Sequence, residues 1–337
     1  MIDCLSNPAW INPQIDVLLF LQNFRIGFPD VIDKFFLSVT VLGEFWLPTL
    51  VAAITYWCID AKAGMYLFSL EGLNVMMTHL SKMLACVYRP WILDNRVTPS
   101  ALAVPFAKGY SFPSGHSAMS SSVLGGLAYL LRKKKILCLS LICLILLVGF
   151  SRLWLGVHTP QDVAGGFLIG IVLIFCMNKL INWAEQNTVR YLYLIGIINF
   201  AAVLVLIYIC YFNNYRMDYV NGELLVNPFN MKYVTCIAYG YVLGLLNGSF
   251  LCRRFLPFNP KDVSVKCRIF RGIIGAVMVV LMLKLIVTKI FLSIVDIKEG
   301  MMMTFTVGIM ITLIYPLIFI GFDRLVKKFQ HKTIDEK

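Results

Sequence analysis

Phe112-Pro113-Ser114-Gly115-His116-Ser117 closes a hydrophilic loop and opens an apolar run that continues to Leu131. That switch predicts a helix start. Ser114 and Gly115 present backbone N–H groups there, at the positive end of the helix dipole, where an anion is favoured. Gly115 lets the backbone approach a ligand closely, and His116 places an acid/base group beside it. By itself the stretch reads as an anion site with a histidine. Two further polar islands sharpen it: Lys82-x6-Arg89-Pro90 and Ser151-Arg152-x5-His158-x3-Asp162.

Outward from these islands the chain is apolar. Of its 337 residues 59% are hydrophobic, and the mean hydropathy is +0.78. This composition excludes a soluble globular protein and predicts a polytopic α-helical membrane bundle. Windows of about 20 apolar residues span a bilayer. About nine are expected, near 33–58, 64–87, 115–131, 136–157, 161–182, 191–212, 232–251, 272–295 and 301–322. The organisation read from them is an N-terminal interfacial segment over 1–30, a five-span core over 31–185 and a four-span extension over 186–337. Residues 1–30 lack a basic n-region and a small-residue cleavage site, so no cleavable leader is expected. Ten cysteines are scattered through apolar stretches without CxxC spacing, as small buried residues rather than metal ligands or a disulfide framework.

The net charge of +12 does not point to nucleic acid. Basic residues gather in alternate loops: Arg132-Lys133-Lys134-Lys135, Lys179 with Arg190, Arg253 to Arg271, and Arg324 to Lys337. By the positive-inside rule these loops and the C-terminus are cytoplasmic. The loops carrying Arg89, His116 and His158 then face the other side, so an extracytoplasmic site at a cell membrane is expected.

Within the second window, Glu71, Asn74 or Val75, Thr78 and Lys82 fall on one helical face. Glu71 reads first as a hydrogen-bonded helix contact and second as a functional partner. Lys82 and Arg89 are seven apart, about two turns, so both are expected to face the same way. Residues 91–113, rich in proline, read as an ordered cap over the site. Thr159 is a helix N-cap and Pro160 a first helical residue, which puts Asp162 in the first turn, four residues after His158. Gly165, Gly166 and Gly170 give that helix a close-packing face. Lys284 and Lys289 lie inside the eighth window, and Arg216, Asp218 and Glu223 in an outer loop over 213–231.

Lys82, Arg89 and Arg152, with Ser114 and Gly115, suit a tetrahedral phosphoryl group. No carboxylate cluster for Mg²⁺ is visible, so protein cations would meet the phosphate charge. His158, oriented by Asp162, is the candidate nucleophile, and His116 the candidate acid and base. Taken singly, His158 could be a core histidine, two histidines and an acid could hold a metal, and helix-end cations could anchor lipid headgroups. None of these readings explains all eight positions on one face.

At these residues the sequence resembles the type 2 phosphatidic acid phosphatase family, whose pattern is K-x6-RP, PSGH and SR-x5-H-x3-D. All three parts are complete here: Lys82 with Arg89-Pro90, Pro113-Ser114-Gly115-His116, and Ser151-Arg152 with His158 and Asp162. The resemblance covers roughly residues 10–185 and looks like the bacterial membrane members, not the soluble haloperoxidases that share the motifs. It implies a metal-independent phosphatase without cofactor, a phosphohistidine at His158 and His116 as acid/base. The expected substrate is a lipid phosphomonoester or pyrophosphate: phosphatidate, phosphatidylglycerol phosphate, undecaprenyl pyrophosphate or a sphingoid phosphate. Alternatives are a phosphotransferase using the same phosphohistidine, a non-catalytic lipid-binding or transport protein, and a soluble substrate such as a sugar phosphate. Oligomeric state and the purpose of the last four spans are left open.

Overall fold

The computed structural model describes residues 11–212, 215, 217–220, 222–256, 258–291 and 296–323, with the backbone alone for 286–291. The chain is helical almost throughout. Its helices are α1 (Asn12–Ile26), α2 (Asp30–Thr40), α3 (Trp46–Ile54), α4 (Ala61–Ala85), α5 (Pro90–Leu93), α6 (Gly115–Leu130), α7 (Lys135–Trp154), α8 (Pro160–Glu185), α9 (Thr188–Ile207), α10 (Pro228–Phe255), α11 (Val265–Phe291) and α12 (Ile297–Ile309). Strands β1 (Tyr219–Val220) and β2 (Glu223–Leu224) pair antiparallel.

Among the described residues, five helical runs are long and apolar enough to cross a membrane: Lys135–Trp154, Pro160–Glu185, Thr188–Phe212, Pro228–Phe255 and Ile297–Asp323. The first expected span is a bent pair, Asp30–Gly43 and Trp46–Ile59, meeting at 49°, which counted as one makes six. The other three of the nine windows are helical in α4, α6 and α11 but do not meet this test. The reason is composition and length. α4 carries Glu71 and Lys82, α6 has 16 residues with serines at 117, 120, 121 and 122, and the side chains of α11 are described only as far as Leu285. Arg216 and the basic stretch Arg324 to Lys337 lie outside the described residues, as does the side chain of Lys289. Lys284 is on the exposed side of α11.

The chain divides into two compact units. The first comprises the described parts of 1–48, 73–176 and 202–235. At its centre α6 and α7 form a hairpin through the basic turn, closed by Lys134 N–H to Leu131 O at 2.7 Å. The α6 serines would be costly in an apolar helix, but Ser120, Ser121 and Ser122 return their hydroxyls to the backbone, Ser121 Oγ to Ala118 O at 3.0 Å and Ser122 Oγ to the same carbonyl at 2.8 Å, and Ser117 donates to Ser114 Oγ at 2.9 Å. α8 approaches α6 so closely that a Cβ at Gly166 would lie 2.7 Å from Ser114 O, and one at Gly170 2.0 Å from Ser121 Oγ. The small-residue face read from sequence is this contact. α2 packs on the end of α7 through Phe36 and Trp154, whose Nε1 donates to Asp33 Oδ1 at 2.9 Å. α1 buries Ile15 and Leu18 against Val97 and Leu153. Its Arg25 donates to Trp154 O at 3.0 Å and to Thr98 O, which ties the 91–113 loop down.

The second unit comprises 49–72, 177–201 and the described part of 236–337. α11 packs on the turn Thr55–Ile59, where Trp57 Nε1 donates to Ile311 O at 3.0 Å and its ring lies 4.3 Å from that of Tyr315. Glu71 is fully buried here; its Oε1 accepts from Thr49 and from Tyr241 at 3.3 Å. This is the helix contact expected of it. At one end of the unit Arg253 reaches Glu185 at 3.1 Å and Lys261 reaches Asp60 at 2.8 Å.

Candidate active site

All eight residues singled out from sequence lie in the first unit. The site is built where α4, α6, α7 and α8 begin or end. α8 starts as anticipated. Thr159 Oγ1 accepts from Asp162 N–H at 3.3 Å while Asp162 Oδ2 accepts from Thr159 N–H at 2.8 Å. This reciprocal capping box holds the carboxylate turned back toward His158. The same Oδ2 accepts from Ser111 Oγ at 2.6 Å and from His158 Nδ1 at 3.3 Å. Ser111 Oγ also lies 3.2 Å from Nδ1. On the other side of the ring, Arg89 Nη1 donates to Nε2 at 3.0 Å.

These contacts fix the tautomer. Arginine has no acceptor, so Nε2 must carry the lone pair; the proton sits on Nδ1, facing acceptors. The neutral ring is also what the surroundings favour. Burial first, and then the charges of Arg89, Arg152 and Lys82, hold the His158 pKa well below the usual histidine value. Arg89 is itself lowered to about 10 by burial, against the pull of Asp162, and stays charged at neutral pH.

Arg89 does not sit on α4, and the two-turn argument for its direction fails. α4 ends at Ala85, where Cys86 takes a left-handed conformation (φ 48°), and the chain leaves extended through Arg89, as the residue before a proline prefers. What aligns Arg89 with Lys82 is the 91–113 loop. Arg89 Nη2 donates to Lys108 O at 3.1 Å and Nε to Gly109 O at 3.0 Å. Lys82 Nζ donates to Tyr110 O at 2.6 Å and Ser111 O at 3.2 Å. Four consecutive carbonyls thus hold two cations. The loop is anchored behind by Ser111 N–H to Val87 O at 2.7 Å and Ser100 N–H to Leu155 O at 3.0 Å.

Ser114 caps α6, accepting from Ser117 N–H at 3.4 Å, and its own N–H donates to the Asp162 carbonyl at 2.9 Å. Beside Gly115 there is room: a Cβ there would meet nothing nearer than Thr78 Cγ2 at 3.9 Å. His116 sits in the first turn of α6, half-buried, with its backbone against Gly43, where a Cβ would lie 2.6 Å from His116 O. Its ring lies within electrostatic reach of Arg152, His158, Arg89 and Lys82. Arg152 is buried, and its Nε has no hydrogen-bond partner among the described residues. A buried guanidinium with an unused donor is costly unless an anion completes it.

Three contributors were not read from sequence. Ser111 looks like an ordinary loop serine. The carbonyls of 108–111 have no side-chain signature. Glu44, at the bend between α2 and α3, is the acidic group acting on Arg152; its position inside an apolar window was the only available signal.

The description "PAP2 superfamily" matches residues 63–186, and "PAP2 superfamily phosphatase, transmembrane extension" matches residues 236–328. Phosphatidylglycerophosphatase B of Bacillus subtilis is 32% identical over 158 residues, 41% of this chain and 77% of that protein. Undecaprenyl-diphosphatase of Sulfolobus acidocaldarius is 32% identical over 140 residues, 42% of this chain and 65% of that protein. A solved transmembrane PAP2-type phosphatidylglycerolphosphate phosphatase from Bacillus subtilis aligns over 54% of this chain and 90% of its own, with TM-score 0.43 and 23% identity. With more than two thirds of a 32% identical relative covered, and both stretches matched, the chain is a member of the PAP2 superfamily and a multi-pass membrane protein.

Proposed function

We propose that this protein is a membrane lipid phosphatase that hydrolyses a phosphomonoester or pyrophosphate through a phosphohistidine at His158. The observation that carries the reading is the ring of His158, held with Nδ1–H toward Ser111 and Asp162 and the Nε2 lone pair toward the cations. The phosphoryl group docks among Lys82, Arg89 and Arg152 and the N–H groups at the start of α6. One of its oxygens takes over Arg89 Nη1, which frees Nε2. Nε2 attacks phosphorus, the N–P bond forms and the P–O bond to the lipid breaks. His116, protonated, gives its proton to the departing oxygen. Asp162 balances the charge on the phosphorylated ring, as an oriented carboxylate does for a nucleophilic histidine. Neutral His116 then takes a proton from water, whose oxygen attacks phosphorus and returns His158 to its starting state.

The substrate classes are phosphatidate, phosphatidylglycerol phosphate, undecaprenyl pyrophosphate and sphingoid phosphates. A site at the ends of membrane helices lets the tails stay in the bilayer. Residues 31–185 form the catalytic core and 186–337 an extension, a division supported by the two matched stretches. The basic turn Arg132–Lys135 lies at the end of α6 and α7 away from the site, which supports a cytoplasmic turn and an extracytoplasmic site at the cell membrane. The test is phosphate release by detergent-purified protein in EDTA across a panel of these lipids, beside His158→Ala. Release by the wild type alone supports hydrolysis. Release that depends on an added alcohol would make the protein a phosphotransferase, and none under either condition would end the enzymatic reading.

A further inference from the structure

The segment described over Asp218–Val220 and Gly222–Met231 lies between the two matched stretches, 63–186 and 236–328. It is a short built element. β1 and β2 turn at Gly222 (φ 82°), Leu225 N–H donates to Asp218 O at 3.0 Å, and Pro228 opens α10. It packs on the back of the carbonyl clamp, in three separate contacts. Asp218 Oδ2 accepts from the hydroxyl of Tyr88, the neighbour of Arg89. Val226 closes a buried cluster with Tyr88 and Tyr110, joined at its edge by Leu225 and Met231. Gly109, in a left-handed conformation (φ 75°), lies under Met231, so that a Cβ there would stand 2.2 Å from Sδ. Gly109 and Tyr110 are the residues whose carbonyls take Arg89 Nε and Lys82 Nζ.

We propose that Asp218–Met231 is the positioning wall of the phosphate site: by bracing Tyr88, Gly109 and Tyr110 it sets where Arg89 and Lys82 stand, and so the affinity for the phosphoryl group. The physical argument is that residues 108–111 are loop backbone with no helix or sheet of their own. A loop holds two like-charged groups in place only if something opposes their repulsion, and the apolar cluster with the Asp218–Tyr88 bond does so from behind. None of these residues touches the phosphoryl group in this account, so their effect passes through the cations. An error of about 1 Å in such placement lowers catalytic efficiency by up to roughly 100-fold.

The inference rests on the phosphatase reading of the same site, so the experiment separates the two. Asp218→Asn and Met231→Ala are compared with wild type for binding of inorganic phosphate, by protection against thermal unfolding, and for KM and kcat on a lipid phosphate. Tyr219→Ala, on the exposed side of the hairpin, is the control for the segment's own folding. The expected result is roughly tenfold weaker phosphate binding and a KM raised by the same factor in both variants, with kcat within about threefold and the control unchanged. Weakened phosphate binding with no lipid phosphatase activity even in wild type would keep the wall and remove the phosphatase reading. Wild-type activity with phosphate affinity and KM unchanged in both variants would overturn the wall, as would equal losses in the Tyr219→Ala control.

Discussion

Replacing Asp162 by Asn asks how much the oriented carboxylate contributes. Asp162 Oδ2 accepts from Ser111 Oγ at 2.6 Å, Thr159 N–H at 2.8 Å and His158 Nδ1 at 3.3 Å. The amide keeps the shape and one acceptor but loses the charge, and its NH₂ competes to face Nδ1. A hydrogen bond to a charged group is worth about 1.5–3 kcal/mol, and two of the three bear on the ring, one made by Nδ1 itself and one through Ser111 Oγ, 3.2 Å from Nδ1. About 3–6 kcal/mol of transition-state stabilisation is therefore removed. At 1.36 kcal/mol per factor of ten, kcat falls roughly 10²- to 10⁴-fold. The cations and the α6 start are untouched, so KM stays within a few-fold. The weakened cap of α8 costs about 1 kcal/mol of stability, which a melting curve in the same detergent measures separately. The assay is initial-rate phosphate release with EDTA at saturating lipid. A kcat loss under about tenfold, or a loss confined to KM, would refute the role given to Asp162 and the tautomer argument with it.

Other perturbations follow from the same geometry. Since the His158 pKa is held well below the ordinary histidine value, kcat/KM should not fall on acidification until pH drops through that lowered value. Arg89→Gln removes one of the charges that lowers it, so the acid limb should move to higher pH while kcat/KM falls about 100-fold; a pH–rate profile with an unmoved limb would contradict this. Arg152→Lys keeps the charge but loses the planar fork, and should raise KM roughly tenfold with the Tm unchanged to within about 2 °C. Gly166→Ala forces a Cβ to 2.7 Å from Ser114 O, so it should cost about 1–3 kcal/mol and lower activity together with Tm; full activity with a normal Tm would show that α6 and α8 are less tightly packed.

Much of the site was legible because its side chains are chemically distinctive and near helix ends. The start of α8 followed from Thr159-Pro160, the start of α6 from the switch at Ser114-Gly115, and the close-packing face of α8 from Gly165, Gly166 and Gly170. What was not legible was carried by backbone and by two side chains without a motif, Ser111 and Glu44. Nothing in the letters of Lys108 to Ser111 announces four carbonyls aimed at two cations, and helical periodicity gave the wrong reason for Arg89 lying near Lys82. The break at Cys86 depends on tertiary packing, since a left-handed cysteine has no sequence signal comparable to glycine. Six of the nine expected windows pass the test of length and apolarity among the described residues, if the bent pair counts as one, and the other three are helical. α6 satisfies its serines internally and α4 carries its acid to buried partners, so both can be helical without being apolar enough to count as spans.

The central claim is that His158 becomes phosphorylated. Its most direct test is rapid quenching of the enzyme during turnover of a ³²P-labelled lipid phosphate, at alkaline pH, followed by peptide mass spectrometry. The account predicts one acid-labile phosphate on His158, absent from His158→Ala and accumulating in His116→Ala when the labelled substrate carries a leaving group that departs without an acid, because the water step is then the one that is slowed. Steady turnover by the wild type with no label on His158, or with label on another residue, would contradict it.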